Sequence, residues 1–217
     1  MITRLLIDEQ FYRGAFSEIY FFSPSASVDP GLDDLRDYVA QIQDQEERPT
    51  FHDDFDPTFV RDILERARSV TENQKSKGSA KRFNVLVVID DHADRPDLLK
   101  KTGGVFETLF VRARHWGVST MVSSQKLKLI SSTVRTNLTA LFIFKLRNHH
   151  DLKDGVIEEY SALVDAKTLL QMYRQAISKP FGFLYINLLA RDPNKMFFSS
   201  FRTRFVIEPE QEKGAEE

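Results

Sequence analysis

At 217 residues the sequence is long enough for one sizeable core, and its 41% hydrophobic and 29% charged content is ordinary for a globular protein. No apolar run approaches the about 18 residues of a membrane-spanning helix, and Leu5-Leu-Ile7 is followed at once by Asp8 and Glu9, which is not the pattern of a secretory signal. The absence of cysteine excludes disulfides and thiolate metal sites and leads us to expect an intracellular, reducing setting.

The net charge of −2 conceals an asymmetry: residues 1–60 carry 13 acids against 4 bases, whereas residues 108–150 carry 7 Lys/Arg and no acid. Such a stretch is either balanced by the acidic N-terminal part or forms a face that meets polyanions.

In chain order, residues 1–12 read as a short helix. The apolar run Ile19-Tyr-Phe-Phe22, closed by Ser23-Pro-Ser25, reads as a strand. Asp29-Pro30 is a helix-start signal, and Leu32, Leu35, Val39 and Ile42 follow at helical spacing. Residues 43–56 are mostly polar and read as a surface loop. Asp56-Pro57 repeats the start signal, with Phe59, Val60, Ile63, Leu64, Ala67 and Val70 as the buried stripe. Residues 73–81 read as a polar linker. Val85-Leu-Val-Val-Ile89 is continuous and largely β-branched, as in a strand covered on both faces. A helix over Val105, Phe106, Leu109, Phe110 and Ala113 follows, then strands over 118–122 and 140–146. Asp165 is expected to cap a helix bearing Leu169, Leu170, Tyr173, Ala176 and Ile177. Strands over 181–189 and 197–207 close the pattern, and the acidic stretch 208–217 is expected to be disordered. Strands alternating with helices predict an α/β fold with a mainly parallel sheet, whose ligands sit at the carboxyl ends of the strands.

The residues after Ile89, Val122 and Leu146 are therefore where chemistry is sought. Asp90 and Asp91 follow the most apolar strand. One carboxylate in such a pair suits Mg²⁺, which prefers oxygen ligands, and the other suits an attacking water; the bland alternative is a loop start that caps the next turn. Gln125, after the next strand, offers an uncharged amide to a phosphate or its attacking water. Arg112, Arg114 and His115 end a helix, where cations complement the dipole. Arg135 and Asn137 lie in a polar turn. Asp90-Asp-His-Ala-Asp94 and His149-His-Asp151 lack the spacing of a zinc site. His115, His149 and His150 all fall in the acid-free stretch.

The ordered set Leu86-Val-Val-Ile-Asp-Asp91, Arg114-His-Trp-Gly-Val-Ser119, Ser123-Ser-Gln125, Val134-Arg-Thr-Asn137 and Phe142-Ile-Phe-Lys-Leu146 resembles the virion DNA-packaging ATPases of large double-stranded DNA viruses. These are of the poxvirus type, within the FtsK–HerA superfamily of ring-forming DNA translocases. Gln10-Phe-Tyr-Arg-Gly-Ala-Phe16 and Tyr20-Phe-Phe-Ser-Pro-Ser25 add to the resemblance, which runs over about residues 1–205. It implies a P-loop ATPase core over residues 1–207, with Asp90 serving Mg²⁺ and Asp91 the catalytic water as a Walker B pair, and Gln125 sensing the γ-phosphate of ATP. It places the inter-subunit arginine on Arg135, with Arg114 second. It also implies double-stranded DNA, a homo-oligomeric ring and capsid proteins as partners, and a virion or an infected cytoplasm as the location.

One element of that family departs. The phosphate-binding loop G-x-x-x-x-G-K-[ST] occurs nowhere in the 217 residues, so the first strand and the loop are expected to lie upstream of Met1, with strand edges left open in their absence. The alternative is a non-catalytic interaction or scaffold subunit that kept the fold. A different nucleotide-dependent α/β enzyme would need Gly103-Gly104 as its phosphate loop; that pair more simply serves a turn.

Overall fold

The computed structural model describes residues 1–80, 82–92 and 104–207, and the chain divides into two units, Met1–Asn137 and Leu138–Glu217. The expected tail at 208–217, Asp94 and Gly103 lie outside the described residues.

The first unit is built on a parallel sheet in the order β2–β1–β3–β4, comprising β1 (Glu18–Phe22), β2 (Phe51–His52), β3 (Val85–Ile89) and β4 (Val118–Val122). Pairing aligns Phe22 with His52 and Ile89, and Ile89 with Val122, so the carboxyl ends of all four strands are level. Every residue of β1 and β3 is buried, as expected of inner strands of a parallel sheet.

Alternation sends Ile19, Phe21, Leu86 and Val88 to one face. There they pack with Leu6 of α1 (Ile2–Ile7) and with Leu35, Tyr38 and Val39 of α2 (Asp33–Val39). Tyr20 and Phe22 point to the other face, where their rings meet Phe59 of α3 (Pro57–Ser76) at 5.8 and 6.3 Å. α3 in turn packs on α4 (Val105–Val111). Helices thus cover both faces of the sheet, the α/β architecture that the alternation predicts.

Two readings need correction here. Residues 43–56 are not merely a surface loop: β2 lies within them, and Gln43, Thr50 and Phe55 are buried. The Gln43 side-chain oxygen accepts from the Ile19 N–H at 2.8 Å, and its amide nitrogen donates to the Arg48 carbonyl at 2.7 Å. One polar side chain therefore satisfies strand backbone and lets a polar segment run alongside β1. The expected linker at 73–81 is helical as far as Ser76, capped at its start by Asp56 accepting from the Thr58 N–H. Gly117 turns the chain into β4 at φ +73; a Cβ there would lie 2.5 Å from the Phe83 carbonyl oxygen, so only glycine fits.

The second unit carries β5 (Ala140–Ile143), β6 (Leu184–Asn187), β7 (Phe197–Ser199) and β8 (Thr203–Arg204), paired antiparallel in that order. The strands expected over 140–146, 181–189 and 197–207 are present but shorter, and a turn divides the last into two. One face, with Ile143, Leu184, Ile186 and Phe197, is buried. α8 (Ala166–Ala176), capped by Asp165, packs on β6 and β7 and buries Leu169, Met172, Tyr173 and Ala176. The other face carries a stack of rings: Phe142 on Tyr185 at 5.0 Å and Tyr185 on Phe198 at 5.5 Å. Between β5 and α8 a helical run over residues 149–160, made of α6 (His149–Leu152), a π turn at Lys153–Ile157 and α7 (Glu158–Tyr160), was not anticipated. Among the described residues no helix is long and apolar enough to cross a membrane.

Candidate functional site

The level strand ends fix where the acids fall. The Asp90 N–H donates to the Phe22 carbonyl at 2.8 Å, and the Ser123 N–H donates to the Ile89 carbonyl at 2.9 Å, so the ladder runs one residue past each strand. By register Asp90 lies between Ser23 of the β1 edge and Ser123 of the β4 edge. Asp90 is half-buried, while Asp91 is exposed and has left the sheet.

Asp91 leaves in the left-handed conformation, at φ +51. Aspartate tolerates this region better than most residues, but the conformation still costs energy and re-aims the side chain. The side chain is aimed at Gln125, whose amide nitrogen donates to an Asp91 carboxylate oxygen at 3.1 Å. This contact joins residues 34 apart in sequence. It orients the amide, leaving its carbonyl oxygen free to accept from water. Ser124 braces the same loop: its hydroxyl donates to the Lys126 carbonyl at 2.9 Å and accepts from the Lys126 N–H at 3.3 Å.

Of the residues singled out in the sequence, the structure brings Asp90, Asp91 and Gln125 to one end of the sheet. Arg114 lies elsewhere. It belongs to the turn at Ala113–Trp116 that precedes β4, at the amino end of that strand. Five strand residues at about 3.3 Å each put roughly 17 Å between that end and Gln125. Arg135 sits on α5 (Ser132–Thr136), half-buried, and its guanidinium donates to the Ile130 carbonyl at 2.6 Å, folding back on its own loop.

The donor set at the carboxyl end is two carboxylates, two hydroxyls and an amide. These are hard oxygen donors of the kind Mg²⁺ takes while keeping several waters. Among the described residues no group of three or more His, Asp or Glu forms a metal cluster.

No family model matches the chain. The chain is 24% identical to Uncharacterized protein 075L of Invertebrate iridescent virus 6, over 67% of its own length and 54% of that protein. It is 26% identical to Uncharacterized protein 088R of Invertebrate iridescent virus 3, over 47% of its length and 38% of the relative. It is 24% identical to Uncharacterized protein 015R of Frog virus 3, over 54% and 37%. The chain thus spans about half, or less, of the length of the curated relatives it matches. The solved structure of the genome packaging NTPase B204 from Sulfolobus turreted icosahedral virus 2, in complex with AMP, is similar over 61% of this chain and 63% of its own. At 15% identity and a TM-score of 0.38 that likeness carries no argument, and fold and site rest on the chain's own geometry.

Sequence reasoning missed a buried charge network at the opposite, amino end of β1. Glu18 is 4% exposed and accepts from Arg48 at 2.6 Å, from Arg66 at 2.8 Å and from the Tyr20 hydroxyl at 3.0 Å. Burial, then the neighbouring carboxylate, raises the Tyr20 hydroxyl well above its ordinary pKa. The one available signal was Glu18 adjoining an otherwise apolar strand. His52 was missed as well. It stacks on Phe22 at 5.0 Å, and burial lowers its pKa, partly opposed by its hydrogen bond to the Pro49 carbonyl and by Asp53.

Proposed function

We propose that the carboxyl end of the parallel sheet is the acid half of an ATP hydrolysis site, and that the protein drives double-stranded DNA into a viral capsid. The observation that carries this reading is the Asp91–Gln125 contact at the level strand ends. The viral origin of the relatives accords with it, as does the acid-free stretch over residues 108–150.

In this reading Asp90 holds Mg²⁺, which would screen the charge on the phosphates. Asp91 accepts a proton from, or orients, the attacking water. The Gln125 amide, already turned by Asp91, offers its carbonyl oxygen to the same water or its N–H to the γ-phosphate. An amide does this without adding charge near a polyanion. The Asp91 carboxylate is engaged by Gln125, while Asp90 continues the ladder beside Ser23 and Ser123, so in this reading the two acids serve different partners. Arg135 is the residue proposed to reach a neighbouring copy's nucleotide in a ring, with Arg114 second; Arg135 would first release the Ile130 carbonyl.

The test is DNA-stimulated ATP hydrolysis by the chain expressed with the coding segment upstream of Met1. Asp91→Asn is expected to lower the rate about 10²–10⁴-fold, as for loss of a general base, and Asp90→Ala to abolish Mg²⁺-dependent turnover. Unchanged rates in both variants would overturn the reading. One observation favours a second reading, a non-catalytic subunit of the same fold: the 217 residues contain no G-x-x-x-x-G-K-[ST]. Calorimetric titration of this chain with Mg-ATP addresses it, since micromolar binding refutes it.

A further inference from the structure

The second unit gathers aromatic rings and positive charge at one end of its antiparallel sheet. Ile143 pairs with Leu184, and Leu184 with Ser199. The segments that leave β5, enter β6 and leave β7 therefore emerge together. They are residues 144–148, 177–183 and 200–202. Between them they carry Lys145, Arg147, Lys179 and Arg202, four phenylalanines at 144, 181, 183 and 201, and no acid. Among the described residues of the second unit, the acids lie in the helical run over 149–160, at Asp165, and at Asp192 in the β6–β7 connection, which is the other end of the sheet.

Phe181 is the unusual member. It is 93% exposed and stands at φ +59, so it bears both an unburied ring and a left-handed backbone. The turn around it is rigid. Pro180 precedes it, and the Gly182 N–H donates to the Lys179 carbonyl at 3.0 Å. A Cβ on Gly182 would lie 2.3 Å from the Ala176 carbonyl oxygen, so glycine is required there. The ring is thus held out on a stiff Lys-Pro-Phe-Gly turn. Beneath it is a cleft of about 430 Å³ lined by Phe144, Lys145, Ser178, Lys179 and Phe181. Phe144 continues inward to Phe183 at 5.1 Å, and Phe183 to Phe201 at 5.0 Å.

Flat apolar rings beside cations, on three segments that themselves carry no acid, match a ligand that alternates planar rings with anions. We infer that this end of the sheet binds a single-stranded segment of nucleic acid, with Phe181 stacking on an unpaired base and Lys145 and Lys179 taking the flanking phosphates. A lipid surface matches less well. The other strongly exposed apolar side chain on β6's flanks, Leu189, lies beyond the far end of that strand, so the length of the strand separates the two. The inference is independent of the ATP hydrolysis site and stands whether or not that site is active.

The experiment is fluorescence anisotropy of the 217-residue chain with a labelled oligothymidylate, a duplex of equal length, and, by co-sedimentation, phosphatidylserine-containing vesicles. Single strand is expected to bind more tightly than duplex. Phe181→Ala is expected to weaken it by at least about fivefold, as for loss of one stacked base. Lys145→Ala with Lys179→Ala is expected to reduce the slope of log affinity against log salt by about 1 to 2. Phe181→Gly separates binding from folding: glycine relieves the left-handed backbone, so this variant melts at or above the wild type while losing the single strand. Equal binding of single strand by wild type and Phe181→Ala, or sedimentation with vesicles in place of oligonucleotide binding, would overturn the inference.

Discussion

The two sheets place their polar groups in opposite ways. In the parallel sheet β1 and β3 are buried along their whole length; the acid within them, Glu18, is held by two arginines, and Asp90 and Asp91 come only where β3 stops. In the antiparallel sheet only one face is covered. Rings occupy the other face, and the cations gather in the loops at one end. The first arrangement makes a small, oriented set of carboxylates, which in the proposed function serves one metal and one water. The second makes a broad surface of rings and charge suited to a strand of nucleic acid. A sheet covered twice concentrates chemistry at its edge, and a sheet covered once spreads recognition over a side.

Core truncation tests that contrast most strongly. Phe22→Ala removes a fully buried ring that touches Phe55 and Phe59, and is expected to cost about 3–5 kcal/mol in chemical denaturation. Phe142→Ala on the half-buried outer face of the antiparallel sheet is expected to cost markedly less, roughly half as much, since less area is lost. Equal costs would show that the outer face is as well packed as the parallel core. Next in size is Glu18→Ala, which strands two arginines around a buried position and is expected to cost about 3 kcal/mol. A cost below about 1 kcal/mol would mean that Arg48 and Arg66 simply turn to solvent.

Smaller effects probe the edges. Asp165→Ala removes the cap that accepts from the Thr168 N–H and is expected to lower stability by about 1 kcal/mol. The shift at His52 is a pH test. Burial puts its folded pKa below the unfolded value near 6.5, so folding favours the neutral ring. Stability is then complete above about pH 6.5 and declines as pH falls through the lowered folded pKa. His52→Phe should flatten the stability curve between neutral and mildly acid pH, whereas an unchanged curve would assign the slope to other groups. Smallest of all is Asp91→Asn. Asparagine tolerates the left-handed region and keeps an oxygen for Gln125, so the melting temperature should hold within a degree or two while the proposed hydrolysis falls. A marked fall in stability would make Asp91 a structural residue.

Much of the parallel sheet was legible in local pattern. The continuous run at 85–89 declared a doubly covered strand, and Asp56-Pro57 and Asp165 declared helix starts that the structure confirms by side-chain caps. β2 was not legible, because its partner is reached through the Gln43 side chain and not through a hydrophobic period. The division of the later strands into an antiparallel sheet was also hidden. Alternation along one strand does not say which way its neighbour runs. Of the site, Asp90, Asp91 and Gln125 could be chosen because they follow apolar runs, but their convergence depends on register between β3 and β4.

What the sequence determined by itself is most of the strands and helices, the acids at the end of β3, and the exclusion of thiol chemistry, because these depend on short-range periodicity and composition. What only the tertiary structure decided is which ends meet. Hydrogen bonds between distant strands set the level at which Asp91 meets Gln125, separate Arg114 from both, bury Glu18 between two arginines, and bring three acid-free loops around Phe181. Such pairings are fixed by long-range backbone geometry, for which no single segment carries a signal.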